Sequence, residues 1–243
     1  MIEKNNLPVR LFINQTVSFF DSGFDSINTE YEQWVRYQIP EEFRSDIDAY
    51  DLKRIHIVSS HNSLTVMDGS IVAESEAWMD HYKDIFFYRS RERLVEKLET
   101  LGINFSVTSL GRYQGTICYI LGAEYQNESV PQLWIAKDTF RPVRWIYEVS
   151  DEQGVVEQKE ILYSNWKSHY QSWYPSEIEF FQGQNLIQSI SVQQIEINPP
   201  FSEELFDIEQ IKNFYSTEIR EEAFPTDQSD IEKRIKEFKK IYE

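Results

Sequence analysis

The sequence predicts a mainly β protein built on a meandering antiparallel sheet. Between Gly115 and Phe206, short aromatic-rich strands follow one another at nearly even spacing, with no helical pattern between them. Each apolar run ends in turn residues, as in the DEQG of 151–154 and the GQN of 183–185. Short turns join antiparallel neighbours, so we expect consecutive strands to lie side by side.

Six strands are predicted in this half of the chain, at 116–125, 131–136, 142–150, 155–166, 176–182 and 186–198. In the last one, the apolar positions change parity between Val192 and Ile195. This change predicts a bulge or sharp bend near Gln193 and Gln194, and a bent strand indicates a curved sheet.

Five more strands are predicted in the first half, at 11–20, 29–39, 42–48, 53–59 and 64–67. Apolar and polar residues partly alternate there, which is typical of strands with one buried face. Asp68 and Gly69 predict a hairpin turn after the fifth strand, because Asp-Gly favours the two-residue turns that join antiparallel strands.

The apolar period becomes helical between Asp80 and Thr100. Asp80 as an N-cap, the strong helix formers that follow it and Gly102 as a stop predict one helix over 80–100. Its five basic residues are interpreted as solvated charges that pair with the acidic body of the protein.

A second amphipathic helix is predicted at the C-terminus. Ser229 and Glu232 form a capping-box pattern, and apolar residues recur on one face from Ile231 to Tyr242. The chain therefore divides into a main domain, 1–222, and a C-terminal helix, 223–243, that docks on it. A membrane-surface helix is the alternative, but such helices carry a basic excess that is absent here.

Composition limits the classes of partner. The 243 residues include 24 Lys and Arg against 41 Asp and Glu, a formal net charge of −17 that repels nucleic acid and anionic membrane surfaces at long range. The single cysteine, Cys118, lies inside a predicted strand, where a buried thiol acts as a small apolar side chain. No apolar window reaches the roughly 20 residues of a membrane span.

No enzyme motif is recognised in the sequence. It contains no nucleophile elbow, no phosphate-binding glycine loop and no His-Glu-x-x-His, so we expect no catalytic residue and no cofactor. His56, His61 and His81, with Asp80 or Asp84, offer metal-binding atoms, but their spacing selects no coordination geometry. We therefore expect no metal site. A hydrolase is the weakest of the alternatives.

Several short motifs, taken in order, resemble one protein family. They are Pro40-x-x-Phe43-Arg44, the Asp68-Gly69 turn, the interrupting helix, Leu133 to Arg144, Tyr174 to Glu179, Val192 to Asn198, and Leu205-Phe206. This series resembles the LolA-like superfamily of outer-membrane lipoprotein-sorting and carrier proteins and related lipid-binding lipoproteins, over about 29–207.

The resemblance implies an unclosed, strongly curved antiparallel β-barrel, with helices covering the concave face around an apolar cavity for acyl chains. It also implies a non-enzymatic periplasmic carrier or binding protein, periplasmic or associated with the outer membrane, for lipoproteins or other acyl-chain lipids, with an outer- or inner-membrane partner protein. The N-terminal residues lack the apolar core of a signal peptide, so either an export signal is missing from this sequence or the protein is cytoplasmic.

Nine aromatic residues are candidates for lining the cavity or its mouth, because aromatic side chains beyond core needs collect where a ligand is buried. They are Trp34, Tyr37, Trp78, Tyr82, Phe86, Phe87, Trp134, Trp145 and Trp173. In the resembling family an arginine on an early strand bonds to the helical lid, and Arg44 matches that position here. The alternative for Arg44 is a surface pair with Asp46 or Asp48. An envelope sensory module that binds protein on the same concave surface is the alternative function.

Overall fold

A computed structural model describes residues 8–20, 29–150, 156–169 and 172–216 of the chain. The C-terminal helix predicted at 223–243 lies outside the described residues. The division of the chain into 1–222 and 223–243 therefore stays a prediction.

Within the described residues thirteen strands form one antiparallel sheet; the sequence predicted such a sheet with eleven strands. The strands are β1 Arg10–Phe19, β2 Thr29–Gln38, β3 Glu42–Asp48, β4 Lys53–Ser59, β5 Asn62–Met67, β6 Ser70–Ala73, β7 Thr108–Tyr113, β8 Thr116–Leu121, β9 Gln132–Ala136, β10 Pro142–Ser150, β11 Val156–His169, β12 Ser172–Gln182 and β13 Asn185–Ile197. Their order is β6-β5-β4-β3-β2-β1-β13-β12-β11-β10-β9-β8-β7, so β6 and β7 are the free edges and the sheet is unclosed. The mainly β, unclosed antiparallel fold is confirmed.

Three predicted strands have the observed bounds, and two observed strands were missed. β6 has only four residues, and β7 carries Gly111 and Arg112 where an alternating apolar pattern would be expected. The strand predicted at 116–125 ends at Leu121, because Gly122 turns the chain at a φ of +101°. The register shift between β12 and β13 lies at Phe180 and Phe181, and the bend near Gln193 stays a prediction.

The prediction of one helix over 80–100 is wrong. The segment contains a 3-10 helix, Trp78–Lys83, then α1, Asp84–Phe87, and then α2, Arg91–Thr100. The chain is extended at Tyr88, and Ser90 caps α2 by accepting a hydrogen bond from the Arg93 amide at 3.4 Å. Ser90 therefore takes the N-cap role that the sequence suggested for Asp80.

The predicted stop at Gly102 is confirmed. Gly102 has a φ of +89°, and its amide donates to the Glu99 carbonyl at 2.9 Å. The Ile103 amide donates to the Leu98 carbonyl at 3.0 Å, which completes a Schellman motif. The hairpin at Asp68 and Gly69 is also confirmed, since both residues have positive φ and join β5 to β6.

Contacts divide the chain into two compact units. Unit 1 comprises 1–15, 31–81 and 194–243, and unit 2 comprises 16–30 and 82–193. In unit 1, one face of the sheet buries Val35, Phe43 and Val58. On the other face, helix α3, Ile208–Ser216, covers a cluster of apolar residues; its buried members are Ile57, Leu64, Val66, Ile208 and Ile211.

Unit 2 also buries side chains on both faces of its strands. Trp145, Ile161 and Phe180 are neighbours on one face and have no solvent exposure. Cys118, Ile120 and Trp134 form a cluster on the other face. The expectation that Cys118 is buried is confirmed, and burial raises the pKa of its thiol. Within the described residues, no helix has the length and apolar character needed to cross a membrane.

The turn at Gly122 gives a stability prediction with a matched control. A Cβ at Gly122 would lie 2.6 Å from the Pro131 carbonyl oxygen, whereas a Cβ at Gly115 would meet no atom within 4 Å. Both glycines have positive φ, so alanine carries a backbone cost of about 1–2 kcal/mol at either site. We expect Gly122→Ala to lower the free energy of unfolding by about 1–3 kcal/mol more than Gly115→Ala does, because of the clash. Urea denaturation measures both, and equal losses would show that the turn relaxes freely.

Candidate functional site

An aromatic layer joins the helical segment to the sheet in unit 2. The Phe86 ring lies with its centroid 4.9 Å from that of Tyr174 and 5.7 Å from those of Tyr163 and Trp166. Tyr82 makes an edge contact with Phe180 at 6.0 Å. We call these six residues, Tyr82, Phe86, Tyr163, Trp166, Tyr174 and Phe180, the aromatic layer.

The Tyr163 hydroxyl donates to the Tyr82 carbonyl at 3.2 Å. Burial, together with the negative charge of Asp84, raises the pKa of Tyr163 well above its usual value. The hydroxyl is therefore a neutral donor at physiological pH, and the ring contacts of Tyr82 and Phe86 with the strands add aromatic packing to this bond.

A buried ion pair lies directly beside the layer. Lys83 and Asp84 are both 0% exposed, and the Lys83 Nζ lies 3.4 Å from the Asp84 Oδ1. The Lys97 Nζ, on α2, lies 3.6 Å from the Asp84 Oδ2. Because charges out of water are costly unless paired, these contacts hold α1 and α2 in one arrangement.

A second buried ion pair fixes the start of the helical segment in unit 1. Arg54 on β4 donates to the Asp80 Oδ1 at 2.7 Å, and both residues are less than one-tenth exposed. The Ala77 amide donates to the Asp80 Oδ2 at 3.1 Å. Asp80 therefore connects a strand to the 3-10 helix, and the sequence-based search for a latch missed Arg54.

Three of the predicted cavity residues lie in unit 1. Tyr37 is fully buried against Phe43, with ring centroids 5.0 Å apart. Trp34 is half-buried and lies on the opposite face of β2 from Tyr37, since the two positions differ by an odd number. Trp78 is half-buried on the 3-10 helix. Trp34 and Tyr37 therefore cannot line one surface.

The other six predicted residues lie in unit 2. Tyr82 and Phe86 belong to the aromatic layer, and Phe87 is buried beside Tyr88. Trp145 lies on the sheet face of the aromatic layer, through its pairing with Ile161.

Trp134 and Trp173 lie away from this layer. Trp134 pairs with Arg144, the neighbour of Trp145, and so lies on the other face. Trp173 is 49% exposed, with the Arg141 guanidinium 3.4 Å from its ring centroid. The role of each of the nine residues as a cavity lining stays a prediction.

Arg44 contacts a helical turn, although not the segment at 78–100. Its Nη1 donates to the Leu205 carbonyl at 3.0 Å, in the 3-10 helix Glu203–Phe206 that precedes α3. Its Nη2 also pairs with Asp46 at 2.8 Å, which is the alternative that the sequence offered. Arg44 alternates with Phe43 along β3 and lies on the sheet face covered by α3.

The four histidines lie at three locations within the described residues, and His169 is the last residue of β11, in unit 2. His56 and His81 are buried, and the Glu76 carboxylate lies 3.9 Å from the His56 Nε2 and 3.8 Å from the His81 Nδ1. The His56 Nδ1 contacts the Thr65 hydroxyl at 2.9 Å. His61 is exposed on the turn between β4 and β5. These contacts connect the sheet to the segment that follows β6.

An open polar cavity of about 440 Å³ lies in unit 2 along β11, β12 and β13. Its lining consists of Asn165, Trp166, Lys167, Ser176, Glu177, Ser191, Val192 and Gln193. Apart from Trp166 and Val192 the lining is polar, which differs from the apolar cavity that acyl chains require. Trp166 is the residue that this cavity shares with the aromatic layer.

Comparison with known proteins identifies the fold. No protein-family model matches the sequence, and no curated protein matches it. A LolA superfamily protein from Nitrosomonas europaea is 13% identical, with a TM-score of 0.52 over 83% of this chain and 91% of that one. A domain described as an outer membrane lipoprotein-sorting protein, from Vibrio parahaemolyticus, is 11% identical, with a TM-score of 0.56 over 84% and 91%.

A DUF1329 family protein from Desulfovibrio piger is also similar. It is 13% identical, with a TM-score of 0.55 over 85% of this chain and 92% of that one. At these identities the likeness shows the fold alone. The chain has a LolA-like fold, as the order of its sequence motifs suggested.

The Arg54–Asp80 pair gives a stability prediction. We expect Arg54→Met to lower the free energy of unfolding by about 3–5 kcal/mol, because it leaves the buried Asp80 carboxylate without the guanidinium. Lys53→Met is the matched control on the neighbouring residue, whose pair with Asp48 is about two-thirds exposed on both sides. Lys53→Met should lower the free energy of unfolding by less than about 1 kcal/mol. Chemical denaturation compares the two variants, and similar losses would contradict a structural role for the buried pair.

Proposed function

We propose that this protein is a non-enzymatic carrier or binding protein for acyl chains, of lipoproteins or of other lipids, in the bacterial envelope. The observation that carries the proposal is the packing of Tyr82 and Phe86 on Tyr163, Tyr174 and Phe180 within a LolA-like fold. The Vibrio parahaemolyticus neighbour is described as an outer membrane lipoprotein-sorting protein, which supports both the ligand class and the periplasmic or outer-membrane location.

The chemistry of the aromatic layer suits an acyl chain. Its contacts are mainly apolar, so a chain that replaced Phe86 on the strands would exchange one set of dispersion contacts for another. Each methylene removed from water contributes about 0.8 kcal/mol, so about ten buried methylenes would contribute about 8 kcal/mol to binding. Neither a catalytic group nor a cofactor is needed for this exchange.

The ion pairs beside the aromatic layer would bring α1 and α2 back to one closed arrangement after the cargo has left. Lys83, Asp84 and Lys97 keep α1 and α2 together, so the segment moves as a unit and not residue by residue. Buried charged groups favour the few arrangements in which they are well paired, because other arrangements leave a charge without a partner. A carrier that takes and releases its cargo needs such a defined closed state.

The first test of this function is saturable binding of a long-chain fatty acid or an acylated peptide. Displacement of Phe86 should change the emission of Trp166, which lies 5.7 Å from it. We expect Trp166→Phe to remove most of the emission change, with binding itself retained by calorimetry. Trp173→Phe is the control, because Trp173 is half-exposed and contacts Arg141. The absence of saturable binding to the wild-type protein would rule out the carrier function.

The second test concerns Arg44 as a latch. Arg36 and Arg44 both pair with Asp46, at 2.6 and 2.8 Å, but the described contact with the Leu205 carbonyl belongs to Arg44. Arg44→Leu should loosen the turn that leads into α3, expose the apolar cluster beneath α3, and change the rate of hydrophobic-dye uptake with little change in the thermal midpoint.

Arg36→Leu is the matched control for this latch, because it removes an Asp46 partner and leaves the carbonyl contact in place. Stopped-flow dye uptake measures both variants. Identical kinetics in the wild-type and Arg44→Leu proteins would exclude the latch, and an equal effect of Arg36→Leu would assign the change to Asp46 and not to the turn.

A further inference from the structure

The edge of unit 2 carries an exposed apolar ridge on one face of its strands. Leu110 on β7 and Ile117 on β8 are 52% and 43% exposed, and Phe140, in the turn between β9 and β10, is 73% exposed. Leu110 pairs with Tyr119, whose ring stacks on that of Phe140 at 6.2 Å. Tyr119 in turn pairs with Ile135. We call Leu110, Ile117, Tyr119, Ile135 and Phe140 the edge ridge.

Strand register places the edge ridge on the sheet face of the aromatic layer. Tyr119 and Leu121 alternate on one face of β8, and Leu121 pairs with Leu133. Leu133 pairs with Trp145, and Trp145 with Ile161. Ile161 pairs with Phe180 of the aromatic layer. One apolar surface therefore extends from the exposed edge at β7 to the layer beneath Tyr82.

Basic side chains border the ridge. Arg112 pairs with Ile117 across β7 and β8, and the Lys137 amide bonds to the Ile117 carbonyl, so both residues flank one ridge position. The Arg112 Nη1 bonds to the Gly115 carbonyl at 3.0 Å, which holds the guanidinium near the hairpin turn. Asp138 follows Lys137 in the same turn, so Arg112, Lys137 and Asp138 together carry a net positive charge. The whole chain has a net charge of −17, so this edge differs in sign from the protein as a whole.

We propose that the edge ridge docks on a lipid bilayer that carries anionic headgroups, with Phe140 and Leu110 entering the interface and Arg112 and Lys137 contacting the phosphates. An apolar ridge with a basic border is the combination that binds such surfaces. The inference rests on the proposed function, since a carrier of acyl chains has to meet the bilayer that supplies or receives them.

The acidic body does not prevent this docking. At physiological ionic strength the screening length is about 8 Å, so carboxylates farther than this from the bilayer contribute little repulsion. Arg112 and Lys137 lie at the contact itself, where each basic residue strengthens binding to an anionic surface by about fivefold. The net charge of −17 therefore slows the approach of the protein to an anionic bilayer, and the positive charge beside the edge ridge decides which face meets the bilayer.

Vesicle flotation at physiological ionic strength tests the docking, with vesicles of phosphatidylcholine alone or mixed with phosphatidylglycerol. We expect the wild-type protein to bind the mixed vesicles at least about fivefold more tightly than the neutral ones. The double variant Arg112→Gln with Lys137→Gln should abolish that preference. Phe140→Asn should weaken binding to the mixed vesicles by about tenfold, and asparagine tolerates the φ of +54° at this position.

Tyr50→Asn is the control, because Tyr50 is fully exposed in unit 1. Its binding should equal that of the wild-type protein. Circular dichroism checks that each variant is folded, and the single variant Lys137→Gln, in an exposed turn, replaces the double variant if that one fails to fold. Equal wild-type binding to both vesicle types, absence of flotation, or an equal effect of Tyr50→Asn and Phe140→Asn would each overturn the docking.

A separate arm distinguishes this inference from the proposed function. Fatty-acid binding is measured without vesicles on the wild-type protein and on Phe140→Asn. Fatty-acid binding together with failed flotation overturns only the docking surface. Flotation without fatty-acid binding leaves the ridge as a bilayer contact and rules out the carrier.

Discussion

The alternation of side chains along each antiparallel strand is the constraint on which the rest of this structure depends. In both units the strands bury side chains on two faces, so neighbouring buried positions along a strand belong to different cores. In unit 1, Ile57 faces α3, whereas its neighbour His56 faces the segment that carries Glu76 and Asp80. In unit 2, Trp145 and Arg144 are divided in the same way.

Charge pairs fix the helical segments that cover these faces. Helices as short as α1, with four residues, have little stability of their own and form where tertiary contacts hold them. Arg54 with Asp80 in unit 1, and Lys97 with Asp84 in unit 2, supply such contacts. In each unit an ion pair thus fixes part of the helical segment, and in unit 2 aromatic packing adds to it.

The predicted candidate site illustrates what a period-two pattern can and cannot show. Aromatic residues at Tyr37, Tyr82, Phe86 and Trp145 were recognised as a surplus from the sequence, and each is at least half-buried in the structure. The same search grouped Trp34 with Tyr37, although they lie on opposite faces of β2. A search restricted to one parity within each strand would have separated them, yet parity alone does not say which face the helical segment covers.

The sequence by itself determined the fold class, because turn residues and the alternation of apolar side chains are local properties. It also located most strands, the Asp68-Gly69 hairpin, the stop at Gly102 and the burial of Cys118. Only the tertiary structure decided the breaks in the helical segment and the partner of each buried charge. Arg54 and Asp80 are 26 positions apart, and no local pattern relates them. Their pairing follows from the register of β4 in the sheet, and register is a property of neighbouring strands rather than of any one segment.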